Sequence, residues 1–166
     1  MIKVEEGQPL PDFDLPAAIP GESGMTGSTL SRADLRGKPF VLFVYPKDAT
    51  SGCTVEACEF REQYSAFQQL GVEVLGLSRD TLSSHRRFIE NQQLPYPLLA
   101  DKEQIVVRGW ELLKDATMYG KPVTKVQRTT FLVDEAGVVR RIFTDVQPLG
   151  HAAAVLEAAR EIVASR

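Results

Sequence analysis

The sequence predicts an α/β fold, a mixed central β-sheet flanked by helices, on three observations. A continuous apolar run at residues 39–45 (PFVLFVY) has the β-branched and aromatic character of a strand buried on both faces, and residues 71–78 (GVEVLGLS) read as the next buried strand. Each is followed by a segment with helical spacing of its apolar positions. Near the C-terminus, residues 129–134 (TTFLVD) and 138–143 (VVRRIF), separated by Glu135, Ala136 and Gly137, read as an antiparallel hairpin with a three-residue turn. Strand, helix, strand, helix, hairpin and final helix make a layered α/β arrangement with helices on both faces of the sheet.

Taken in order, the first third is loop-rich. Residues 16–39 string Pro, Gly, Ser and Thr around short apolar pieces and predict a hairpin or irregular arm. The strand at 39–45 ends at Pro46, which cannot donate to a sheet ladder. After a polar turn, Cys53, Ala57, Phe60, Tyr64 and Phe67 recur at offsets that fall on one helical face, which predicts a helix starting near Thr50 to Gly52. Residues 83–93 predict a second helix and 104–113 a shorter third. Residues 114–128 are polar, carry Gly120 and Pro122, and predict a long surface loop. The alanine-rich stretch 151–165 predicts a closing amphipathic helix.

A chain of 166 residues can bury a sizeable core as one domain, residues 1–166, without disulfides or structural metal. No internal repeat or linker divides it. A hydrophobic share of 43% and a charged share of 25% are those of a globular chain, which excludes disorder and fibrous repeats. The net charge of −3 and the isolated Arg86–Arg87 and Arg140–Arg141 pairs give no electrostatic case for nucleic acid. Nothing reads as a signal peptide or as a membrane span, so a soluble cytoplasmic protein is expected.

The only two cysteines, Cys53 and Cys58, are five residues apart. In a reducing compartment such a pair is more often catalytic or metal-binding than structural. Cys53 falls in the first turn of the predicted helix, where free backbone N–H groups and the positive end of the dipole favour an anion such as a thiolate. An ordinary thiol is only about 3% ionised at pH 7, and full ionisation supplies about thirtyfold in rate. A fast enzyme therefore needs further groups that hold the charge developing on the substrate. Thr50 is placed to be one of them, and equally to be the helix N-cap.

Five helical residues separate two Cα atoms by roughly 8.5 Å on different faces, whereas a disulfide needs less than about 7 Å. A Cys53–Cys58 bridge would thus require the first turns of the helix to unwind. Cys58 as a small buried hydrophobe is the plain alternative. A metal site on the cysteines is poor, since only His85 and His151 remain as further soft ligands and neither has ligand spacing to them.

The segment 46–53 (PKDATSGC), followed by TVEAC, fits Pro-x-x-x-Thr-x-x-Cys and resembles the active-site segment of peroxiredoxins, specifically the atypical two-cysteine group of bacterioferritin comigratory protein or peroxiredoxin Q. Four further stretches resemble that group in the same order: LPDFDL, GVEVLGLSRD, YPLLAD and QRTTFLVDEAGVVRRIF. The resemblance implies a thioredoxin-like fold and a peroxidase acting on hydrogen peroxide and organic hydroperoxides without metal, haem or flavin. It implies that Cys53 is the peroxidatic cysteine, that Pro46 shields it and that Thr50 hydrogen-bonds the peroxide. Arg128 then matches the arginine that keeps the thiolate ionised, and Glu56 an acid that orders the loop, with helix capping as its alternative. Cys58 matches the resolving cysteine, so that the sulfenic acid condenses to an intramolecular disulfide. Thioredoxin is the implied reductant, and a monomer the implied state. Ser51 stands where many relatives have a second proline, and residues 17–29 form a longer segment than usual. A non-catalytic redox sensor or binding module using the same dithiol is the reading from another class; the enzyme reading requires Arg128 beside Cys53.

Overall fold

The computed structural model of the chain describes residues 2–21 and 28–165. At the centre, β3 (Phe40–Val44) pairs in parallel with β4 (Glu73–Ser78) and antiparallel with β8 (Thr129–Val133). Beyond β4 lie β5 (Leu98–Ala100), parallel to it, then β1 (Asp14–Ala18) and β2 (Thr29–Ser31), each antiparallel to its inner neighbour. Beyond β8 lies β9 (Val139–Phe143), antiparallel, with a bulge at Leu132/Val133. One mixed seven-stranded sheet results, in the order β2-β1-β5-β4-β3-β8-β9.

The alternation of side chains along β3 divides the core in two. Val41, Phe43 and Tyr45 point into a layer covered by α1 (Ser51–Gln69), α2 (Leu82–Gln92) and α4 (His151–Ala164). Phe40, Leu42 and Val44 point into the opposite layer, which Trp110, Leu10, Phe13 and the short α3 (Ile105–Gly109) close. Gly76 on β4 permits the first layer: a Cβ there would lie 2.7 Å from Leu98 and 3.0 Å from the Phe43 ring. That ring stacks on Phe60 of α1 with centroids 4.6 Å apart, docking the helix that carries both cysteines.

Two expectations are corrected. The third helix is five residues long instead of spanning 104–113, because Glu111 turns left-handed (φ 55°) and the chain then enters β6 (Leu113–Met118). Residues 114–128 are mostly not a loop: β6 pairs antiparallel with β7 (Lys121–Val126) in a separate two-stranded ribbon. Tyr119 and Gly120, both with positive φ, make the two-residue turn that such a hairpin favours. Of residues 17–29, positions 22–27 lie outside the described residues. No helix of the described residues is long and apolar enough to cross a membrane.

Candidate active site

The strand β3 ends at Val44, and a six-residue connection, Tyr45 to Thr50, leads to α1 at Ser51. Cys53 is therefore in the first turn and its side chain is buried at 1% exposure. Thr50 occupies the N-cap position by backbone conformation, but its hydroxyl caps nothing. Instead it donates to the Lys47 carbonyl at 3.0 Å, and the residue is exposed at the loop surface. Pro46 is half-buried two residues past the end of β3.

Antiparallel pairing sets Thr129 of β8 opposite Val44 of β3, so Arg128 lies at the same sheet end as the loop. Its Nη2 donates to Cys53 Sγ at 3.3 Å and its Nη1 to Glu56 Oε1 at 2.6 Å. Gly52 sits directly below: a Cβ there would lie 3.4 Å from Arg128 Nη2. One guanidinium thus faces a thiol that can ionise and a fully buried carboxyl. Glu56 does not cap the helix; it is the partner of Arg128, and its second oxygen, Oε2, is buried without a hydrogen-bond partner. Burial pushes the Glu56 carboxyl up to about 7 against the opposing pull of Arg128.

Sequence reasoning missed His151, which it weighed only as a metal ligand. The first residue of α4, it is 7% exposed, and its Nε2 lies 2.8 Å from the Thr130 hydroxyl and 3.9 Å from Glu56 Oε2. Burial and then the nearby Arg128 lower it to about 4, so the ring is neutral at pH 7.

Cys58 is half-buried one and a half turns further along the unbroken α1, and both thiols are free. Its Sγ donates to Gln92 Oε1 of α2 at 3.4 Å, and Arg61 donates to the Gln92 carbonyl at 2.5 Å. Between the cysteines, the buried Tyr96 hydroxyl donates to the Ala57 carbonyl at 2.7 Å. The stretch that must unwind for a disulfide is thus held by a few removable polar contacts as well as by Ala57 in the core.

On the other flank, Asp48, Asp80 and His85 bring ligand-type atoms within 4.8 Å of one another. His85 entered the sequence reasoning only as a poor metal ligand for the cysteines. These atoms are instead engaged with one another and with neighbouring hydroxyls: Asp48 accepts from Tyr45 and Ser84, and Asp80 from Ser78.

Comparison with known proteins identifies the family. The sequence model of the AhpC/TSA family matches residues 6–142. Peroxiredoxin Bcp of Xanthomonas campestris is 39% identical over 150 residues, covering 90% of this chain and 91% of its own length. Peroxiredoxin Bcp of Bacillus subtilis is 34% identical over 159 residues, covering 96% and 97%. Among solved structures, a mutant of Xylella fastidiosa PrxQ superposes with a TM-score of 0.85 at 29% identity, covering 96% of this chain and 97% of the other. A buried thiol under a guanidinium at the start of α1, on a thioredoxin-like sheet matched along nearly its whole length by Bcp and PrxQ proteins, places this chain in the AhpC/TSA family, among the peroxiredoxins of the Bcp/Q group.

Proposed function

We propose that the chain is a thiol peroxidase that reduces hydrogen peroxide and organic hydroperoxides through Cys53 and recycles through a Cys53–Cys58 disulfide. Membership of the family supports a peroxidase function. The observation that carries the finer reading is Arg128, which touches Cys53 and is itself held by Glu56. Its charge opposes that of a thiolate and remains in place for the oxygen that departs.

In the first step the Cys53 thiolate attacks the terminal peroxide oxygen. The S–O bond forms, the O–O bond breaks, and the departing oxygen takes one proton to leave as water or alcohol. Thr50 and Pro46 shape the peroxide side of the thiol. In the second step the Cys58 thiol attacks the sulfenic acid and water leaves, forming the disulfide after α1 unwinds. A thioredoxin dithiol then reduces this disulfide and becomes oxidised itself. The chain works as a monomer in the reducing cytoplasm.

Peroxide consumption coupled to thioredoxin, its reductase and NADPH tests this cycle. Cys53→Ser is expected to abolish turnover, and full activity in that variant would refute the nucleophile. Cys58→Ser is expected to react once and stall. Unchanged steady turnover there would mean that an external thiol resolves the sulfenic acid, and oxidation without turnover in the wild type would favour a redox sensor.

A further inference from the structure

We infer that Asp48 and His85 form a positioning pair that holds the active-site loop in its peroxide-reactive shape. The inference rests on the peroxidase reading above and adds two residues to it.

Asp48 lies within the loop between β3 and α1, and its side chain is 3% exposed. Its carboxyl accepts from the Tyr45 hydroxyl at 2.5 Å and from the Ser84 hydroxyl at 2.8 Å, and it meets His85 Nδ1 at 2.7 Å. Its backbone N–H donates to Asp80 at 2.9 Å. His85 is fully buried, and its Nε2 lies 2.8 Å from the Leu99 carbonyl. A carbonyl can only accept, so Nε2 carries a proton; the Nδ1 contact with the carboxyl holds a second, whichever partner owns it. The loop is thereby fastened to β3, to α2 and, through Leu99, to β5. None of these includes the stretch between the cysteines.

The backbone beside the pair is strained. Ala49 has φ 62°, a left-handed conformation that a residue with a Cβ adopts at a cost of roughly 1–2 kcal/mol. Such a conformation persists where its surroundings over-determine it. Here the Asp48 anchor stands on one side and the start of α1 on the other, with Thr50 turned so that its hydroxyl reaches Lys47. A buried pair of this kind adds little stability over an apolar filling of the same shape, so specifying geometry is the better reason for it. The loop it specifies carries Pro46 and Thr50, and Cys53 follows one turn later.

Release of the loop should have opposite effects on the two chemical steps. Peroxide attack needs the ordered loop, and disulfide formation needs the first turns of α1 to come apart. Rapid mixing of the reduced protein with hydrogen peroxide separates them into a bimolecular rate of sulfenic acid formation and a unimolecular rate of disulfide formation. Asp48→Asn and His85→Gln are each expected to lower the bimolecular rate about tenfold or more, since a small misplacement of reacting groups is costly. The unimolecular rate should hold or rise. The double variant should be no worse than the poorer single one, because both changes break one device. Ser84→Ala, which removes one donor to Asp48 from a less critical position, should shift the bimolecular rate the same way by roughly two- to threefold.

A bimolecular rate within twofold of wild type in the folded variants would overturn the pair's role. So would a proportional fall of both rates, which is what general loss of stability gives. Should the Asp48 and His85 variants fail to fold, an unchanged bimolecular rate in Ser84→Ala overturns the proposal. A wild type that forms no sulfenic acid at Cys53 would overturn the peroxidase reading itself. Wild-type reactivity shared equally by every variant would overturn the pair alone.

Discussion

Two buried acids flank Cys53, and they are handled in opposite ways. Asp48, five residues before it, has partners on both carboxyl oxygens: Tyr45 on one, Ser84 and His85 on the other. Glu56, three residues after it, has Arg128 on one oxygen and no hydrogen-bond partner on the other, with His151 3.9 Å away. A fully satisfied buried carboxyl fixes geometry, whereas a half-satisfied one carries a desolvation cost that appears as a raised proton affinity. The side of the site that shapes the loop is therefore rigid, and the side that manages charge is poised to titrate at neutral pH.

The comparison breaks most visibly in stability. His85→Ala leaves the Asp48 carboxyl buried without its ring partner and is expected to cost about 3–5 kcal/mol. Glu56→Gln removes a carboxylate that is expensive to bury and leaves an Arg128 side chain that is 16% exposed, so its cost should stay below about 1 kcal/mol. Urea unfolding of the two variants at pH 7.5 measures the difference; equal losses would mean that the two acids are alike after all.

Next in size is the rate effect at Arg128. Arg128→Met keeps the length of the side chain but removes the charge shared by Cys53 and Glu56, and peroxide reactivity should fall about 10²–10³-fold. Stopped-flow oxidation at fixed pH checks this. A loss below tenfold would move the charge-stabilising role away from the guanidinium.

The smallest expected effect sharpens the comparison through pH. Glu56 has its proton affinity raised by folding, so the stability it contributes is present below about pH 4.5 and is lost as pH rises to about 7. His151, lowered from 6.5 to about 4, contributes stability that is lost as pH falls through that window. The two slopes oppose each other between pH 4.5 and 6.5. His151→Asn should therefore gain roughly 2 kcal/mol on going from pH 7.5 to 5, while Glu56→Gln should lose about 2 kcal/mol over the same range. Parallel pH profiles of unfolding free energy in the two variants would contradict this assignment.

How much of this was legible beforehand depends on how far apart the contributing residues lie. The strand at β3, the helix start at Thr50 to Gly52 and the place of Cys53 in its first turn follow from composition, a terminating proline and helical periodicity, all of them local signals. The ribbon of β6 and β7 escaped because most of its residues are exposed, leaving no regular apolar alternation to read; only Tyr119-Gly120 marked the turn. Family resemblance offered Glu56 only as an acid that orders the loop, its pairing with Arg128 came from the structure, and His151 gave no sign at all, since a histidine opening a helix is unremarkable in sequence.

By itself, then, the sequence determined which thiol stands at the positive end of a helix and that a second thiol follows on that helix beyond bridging distance. Tertiary structure alone decided what surrounds that thiol. The β3–β8 register brings Arg128 across 75 residues to Cys53, and the packing of α2 on the sheet brings His85 across 37 residues to Asp48. The physical reason is that helix starts and strands are encoded by neighbours along the chain, while charge pairing in a buried site depends on which strands and helices meet, and on the register in which they do.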